Sequence, residues 1–98
     1  MNIKIAIQQV LSVCTPSKIV LFGSQAKGTA TEKSDIDLCI VTETNNKRQL
    51  LTKLYCAVET DLPVDIVLYT PTEWDKHAAI RGSFANKISA EGALLYGR

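Results

Sequence analysis

"LFGSQAKGTATEKSDIDLCIV", residues 21–41, opens and closes as a buried strand should, but between those ends it carries a Gly23-Ser24 pair and two carboxylates, Asp35 and Asp37. The second apolar run therefore starts with two charges one residue apart. Side chains alternate along a strand, so Asp35 and Asp37 share a face, with Cβ atoms roughly 6.5–7 Å apart. Ile36, Leu38 and Ile40 take the other face. Cys39 and Val41 continue the acidic side, so the strand is buried on both faces beyond its start and the two aspartates stand at its rim.

Working outward, "KIVLF" (18–22) is short, β-rich and closed by Gly23, the pattern of a buried strand before a sharp turn. Upstream, Ile3, Ile7, Val10, Leu11 and Cys14 recur at helical spacing and predict a helix over about 2–13. Residues 24–34 read as a short helical turn and a loop. The second strand then starts at Ser34 or Asp35. Leu50, Leu51, Leu54, Ala57 and Val58 form one side of a second helix over about 46–60, capped by Thr44 or Asn45. "LPVDIVLYT" is a third strand. Thr70, Pro71 and Glu73 form a capping box that opens a helix over 71–80. "FANKISAEG" is a further short helix ended by Gly92, and "ALLY" is a final strand or extended tail. This order predicts an α+β fold (an α/β sandwich) with a small mixed central sheet and flanking helices, packed mostly on one side.

The third strand repeats the acidic arrangement, with Asp65 on the face opposite Val64, Ile66 and Leu68 and again near the strand's start. Three acids can then converge. Like charges ~4 Å apart repel by about 4 kcal/mol per pair at an effective dielectric near 20, a large share of a small domain's stability. A divalent cation removes that cost, and Mg²⁺ suits carboxylate oxygens while keeping positions open for phosphate and water. Taken singly, each aspartate has a plainer reading: Asp35 as a turn cap, Asp37 paired with a lysine, Asp65 as a surface residue beside a proline.

The turn favours the first reading. Gly23 lets backbone approach a ligand, Ser24 adds a hydroxyl, the N–H groups opening the next helical turn suit a phosphate, and Lys27 adds positive charge. "GSQAKG" is neither a Walker loop nor a dinucleotide fingerprint. The combined pattern is G-S-x10-D-x-D (Gly23, Ser24, Asp35, Asp37) with a later acidic strand at Asp65. It resembles the polymerase-beta-like nucleotidyltransferase superfamily, and within it the minimal nucleotidyltransferases (MNT), over about residues 18–70. The resemblance implies a fold in which Asp35 and Asp37 bind two Mg²⁺ ions and Asp65 assists one of them and serves the incoming hydroxyl. It also implies that Gly23 and Ser24, with Lys27 nearby, hold the phosphates of ATP or another nucleoside triphosphate.

Two departures stand out. Many relatives have arginine after the Gly-Ser pair and again two residues later, where this chain has Gln25 and Lys27, and a lysine cannot make the bidentate phosphate contact of an arginine. The 98 residues also read as one nucleotidyltransferase domain, 1–98, without the extra helices that bind acceptors in longer members. The acceptor is therefore expected elsewhere. Minimal members resemble antitoxins paired with a HEPN-domain ribonuclease toxin, and some transfer AMP from ATP to a tyrosine of that partner. The expectation is thus a protein adenylyltransferase in a hetero-oligomer with a HEPN toxin. The alternative is a non-catalytic antitoxin or nucleotide-binding subunit that neutralises its partner by contact. Transfer to a small molecule is disfavoured by the missing pocket domain.

Composition narrows the remaining classes. A formal charge of +1 argues against a long nucleic acid as partner. No apolar run approaches the roughly 18 residues of a bilayer span and no signal-peptide pattern opens the chain, so a cytoplasmic protein is expected. Cys14, Cys39 and Cys56 have no C-x-x-C spacing and read as core thiols. His77 reads as structural or exposed, and Trp74 as a residue packed on the core or on a partner rather than on an adenine ring. Lys47 and Arg48 read as a solvated helix face, and Leu94, Leu95 and Tyr96 as completing the core or joining an interface.

Overall fold

The computed structural model describes residues 3–23, 26, 35–59 and 63–97. Its elements run α1 (Ile3–Leu11), β1 (Lys18–Phe22), β2 (Ile36–Val41), α2 (Lys47–Ala57), β3 (Val64–Tyr69), α3 (Pro71–Ala78), α4 (Phe84–Glu91) and β4 (Ala93–Gly97). The expected helical turn and loop over 24–34 fall outside the described residues apart from Ala26, which is helical.

The four strands form one mixed sheet in the order β3-β2-β1-β4. β1 pairs antiparallel with β2 and with β4, and β2 pairs parallel with β3. The parallel step needs a crossover, which α2 supplies. β3 is an edge strand, and its Ile66 N–H donates to Tyr55 Oη of α2 at 2.9 Å, so a side chain serves a backbone donor that no further strand reaches.

Strand alternation divides the core in two. Ile19, Leu21, Ile36, Leu38, Ile40 and Ile66 meet Ala6 and Val10 of α1 and Leu54 of α2 on one face. Val20, Cys39 and Val41 meet Trp74 of α3 and Ala85 and Ile88 of α4 on the other. The helices therefore cover both faces, two and two, which corrects the one-sided packing expected from sequence. The physical reason is visible in β2, whose last four residues, Leu38–Val41, are all buried and need a cover on each side.

Local signals fixed most element ends. Thr70 Oγ1 accepts from Glu73 N–H while Glu73 Oε1 accepts from Thr70 N–H, a complete capping box. α2 is capped by Asn46, not by Thr44 or Asn45: Thr44 Oγ1 accepts from Asn46 N–H at 3.1 Å, which leaves Asn46 Oδ1 to accept from Gln49 N–H. The helix ends at Ala57 rather than near 60, because Val58 adopts extended backbone and buries its side chain. Gly92 closes α4, and a Cβ there would lie 2.5 Å from both Ile88 O and Val20 Cγ1, so only glycine lets β4 turn back against β1.

The secondary readings divide. Trp74 is buried beside Tyr69 at 5.5 Å between ring centroids, and His77 is exposed next to the same tyrosine. Cys39 is buried and Cys14 half-buried, but Cys56 is exposed, because position 56 falls on the outer side of α2 away from Leu54. Lys47 is not simply solvated: its Nζ lies 2.6 Å from Glu73 Oε1 and ties the starts of α2 and α3. On β4, Leu95 packs on the core while Leu94 and Tyr96 are exposed, since β4 is the other edge of the sheet.

Candidate active site

The antiparallel and parallel registers meet at one row. Phe22 of β1 is opposite Asp37 of β2, and Asp37 is opposite Asp65 of β3. In-register neighbours point to the same side of a sheet, and adjacent strands lie about 4.8 Å apart. Asp65, Asp37 and Phe22 therefore stand side by side on the face covered by α3 and α4. Asp35 lies exposed immediately before β2.

This crowding has an electrostatic consequence. The Asp37 carboxyl is pushed above the usual carboxylate range, first by desolvation and then by the charges of Asp65 and Asp35. Asp65 and Asp35 thus both act on Asp37, which takes the central position.

Gly23 follows directly. It ends β1 with φ of +74°, a left-handed conformation that favours glycine, and a Cβ built on it would collide with Asp37 Oδ2 and lie 3.2 Å from Asp37 Cγ. The turn therefore has no side chain because the carboxylate already fills that space. Ser24 and Lys27, the other two residues expected to bind nucleotide, lie outside the described residues.

The donor set fits magnesium. Carboxylates are the hard oxygen ligands that Mg²⁺ takes, and mutual repulsion on Asp37 is what a cation would relieve. Among the described residues, no group of three or more His, Cys, Asp or Glu side chains is placed to hold a metal ion, so the three acids do not converge on one point as the sequence led one to expect. Magnesium does not require such a group: it is usually held by one or two carboxylates, with water and substrate phosphates completing its shell.

Sequence reading missed a pocket beside this row. It has a volume of about 210 Å³ and is lined by Phe22, Gly23, Phe84, Lys87, Ile88 and Glu91. A signal existed, because residues 84, 87, 88 and 91 follow i, i+3, i+4, i+7 spacing and so share one side of α4. Nothing in that spacing reveals that this side meets Gly23.

Acids at the rim of a small mixed sheet, beside a tight glycine turn, are the kind of arrangement used by domains that transfer phosphate-linked groups with the help of a metal ion. The family match is more particular: residues 3–91 match the family model of the nucleotidyltransferase domain, and the chain belongs to that family. A Methanocaldococcus jannaschii protein named as a protein adenylyltransferase is 35% identical over 81 residues, covering 81% of this chain and 77% of the relative. A crystal structure of a toxin-antitoxin with AMP-PNP is similar in fold, with a TM-score of 0.62 and 28% identity, covering 100% of this chain and 75% of that one. A Sulfolobus solfataricus structure named as a nucleotidyltransferase superposes with a TM-score of 0.64 at 20% identity, covering 95% of this chain and 75% of that one. The polymerase-beta-like fold expected from the Gly-Ser and Asp-x-Asp pattern is thus borne out. No helix among the described residues is long and apolar enough to cross a membrane.

Proposed function

We propose that the chain is a Mg²⁺-dependent protein adenylyltransferase that acts as the antitoxin of a toxin-antitoxin pair, transferring AMP from ATP to a tyrosine hydroxyl of a HEPN-domain toxin. The observation that carries the reading is the register that sets Asp37 beside Asp65 and next to Gly23. The name of the Methanocaldococcus relative supports a protein as acceptor, and the toxin-antitoxin structure with AMP-PNP supports a toxin as partner and an adenine nucleotide as substrate. Residues 1–98 act as a single domain in this reading. Its three cysteines are free, which suits the reducing cytoplasm.

Asp35, Asp37 and Asp65 would hold the magnesium, which supplies charge neutralisation for the triphosphate and a lowered pKa for the attacking hydroxyl. The chain's own residues do the rest. The backbone N–H groups that follow Gly23 would meet the phosphates, with Ser24 and Lys27 as further ligands. Asp65, at the β3 edge of the row, faces the side from which an acceptor enters and takes the proton of the tyrosine hydroxyl. The new bond joins that oxygen to the α-phosphorus, the bond to the β-phosphate oxygen breaks, and pyrophosphate leaves. β2 and β3 hold Asp37 and Asp65 at fixed spacing, which a mobile loop would not.

The test is incubation of the chain with labelled ATP, Mg²⁺ and the toxin encoded beside it. Label is expected on the toxin, and is expected to vanish with EDTA and in Asp37→Asn and Asp65→Asn. Toxin that stays unlabelled, yet is neutralised equally by wild type and by both variants, would instead establish neutralisation by contact.

A further inference from the structure

The pocket between the end of β1 and α4 has no role in the reading above. It adjoins the acidic row on one side only: the order across the sheet is Asp65, Asp37, Phe22, and the pocket begins at Phe22 and Gly23. A nucleotide held at Asp37 and Gly23 thus has the acceptor side at Asp65 and this hollow opposite. At about 210 Å³ the hollow is smaller than the roughly 300–1,000 Å³ of sites that enclose a whole drug-sized ligand, but it suits one heteroaromatic ring.

Its chemistry favours a base over a phosphate. Phe22, Phe84 and Ile88 supply apolar walls, and the two phenyl rings meet edge to face at 5.6 Å and 85°. Phe84 is nevertheless 53% exposed, which leaves a large part of an aromatic ring uncovered at the mouth of a pocket. Lys87 and Glu91 bring opposite charges to the same hollow. A polyphosphate would gain from one and be repelled by the other. A heterocyclic base carries ring acceptors, which the Lys87 ammonium group can serve.

We infer that this pocket is the base subsite of the nucleotide, with Phe84 as its stacking platform and Lys87 as a donor to the ring. The inference rests on the nucleotidyltransferase reading and adds to it the residues that would hold the base. It gives α4 a part in substrate binding in addition to its part in the core through Ala85 and Ile88.

The experiment is calorimetric titration of the full chain with Mg²⁺-ATP and, separately, with Mg²⁺-tripolyphosphate, which has the phosphates and no base. Phe84→Ala is expected to raise the ATP dissociation constant roughly 5- to 150-fold, as loss of one base-aromatic stack does, and to leave tripolyphosphate binding unmoved. Phe84→Tyr, which keeps the ring, is expected to bind both ligands as wild type does. Should Phe84→Ala fail to fold by circular dichroism, Phe84→Leu replaces it with the same expectation. Unchanged ATP affinity, or equal loss for ATP and tripolyphosphate, overturns the inference alone. A wild-type chain that binds neither ligand overturns the enzymatic reading along with it.

Discussion

The carboxylate of Asp37 occupies the space that a side chain at Gly23 would need, so the end of β1 and the start of β2 specify each other. The motif's glycine is required for two separable reasons, a left-handed backbone and a filled neighbouring volume.

Those reasons can be measured apart. Gly82 has a similar φ, +86° against +74° at Gly23, but nothing lies within 4 Å of a Cβ built there. Gly82→Ala is therefore expected to cost only the backbone penalty, about 1–2 kcal/mol, with nucleotidyl transfer unaffected. Gly23→Ala is expected to cost about 1–3 kcal/mol more through displacement of Asp37, and to abolish transfer. Urea denaturation and a labelled-ATP assay on the two variants check both statements.

The position of Asp37 sets a trade between stability and function. Its carboxyl titrates above the ordinary range in the folded chain, so between the unfolded and folded values the folded state binds more protons. The stability of the metal-free chain is thus expected to fall as pH rises through that window, starting just above the usual carboxylate pKa. Asp37→Asn removes this slope. Thermal melts in EDTA from pH 3 to pH 8 are expected to show Asp37→Asn more stable than wild type at neutral pH, although inactive. A variant less stable than wild type at neutral pH would show that the acids do not repel as placed.

The cysteines should be distinguishable by reactivity. Cys39 is fully buried between the sheet and α3–α4 and its thiol is pushed up to about 12, whereas Cys56 is exposed. At pH 8 a thiol-disulfide reagent is expected to label Cys56 promptly and Cys39 only after denaturant is added. Mass spectrometry of the labelled peptides identifies each site.

The capping box supplies a quieter test. Thr70→Ala removes the acceptor for Glu73 N–H at the start of α3, where Glu73 also meets Lys47. A loss of about 1 kcal/mol is expected. Because α3 carries Trp74 into the second core, the loss is also expected to appear as a red shift of tryptophan emission at sub-denaturing urea.

Much of this chain was legible in one dimension because the signals were local. Alternation at Asp35–Val41 placed the acids at the rim, Thr70-Pro71-x-Glu73 opened α3, and the Gly-Ser to Asp-x-Asp spacing pointed to the nucleotidyltransferase family. The misses were also local where two signals competed. Thr44, Asn45 and Asn46 are all capable caps, and only the Thr44 hydroxyl's bond to the Asn46 N–H decided among them.

What the sequence determined by itself was which residue types stand on which side of each strand and helix, since periodicity fixes faces without reference to the rest of the chain. What only the tertiary structure decided was which faces meet. A parallel pairing across the α2 crossover brings Asp65 into register with Asp37, and the return of α4 over β1 brings Phe84 and Lys87 to Gly23. Likewise, both faces of β2 being apolar left open how the helices would be shared between them. Register and layer order are settled by the packing of the whole core, through contacts between residues far apart in the chain, and no local period records them.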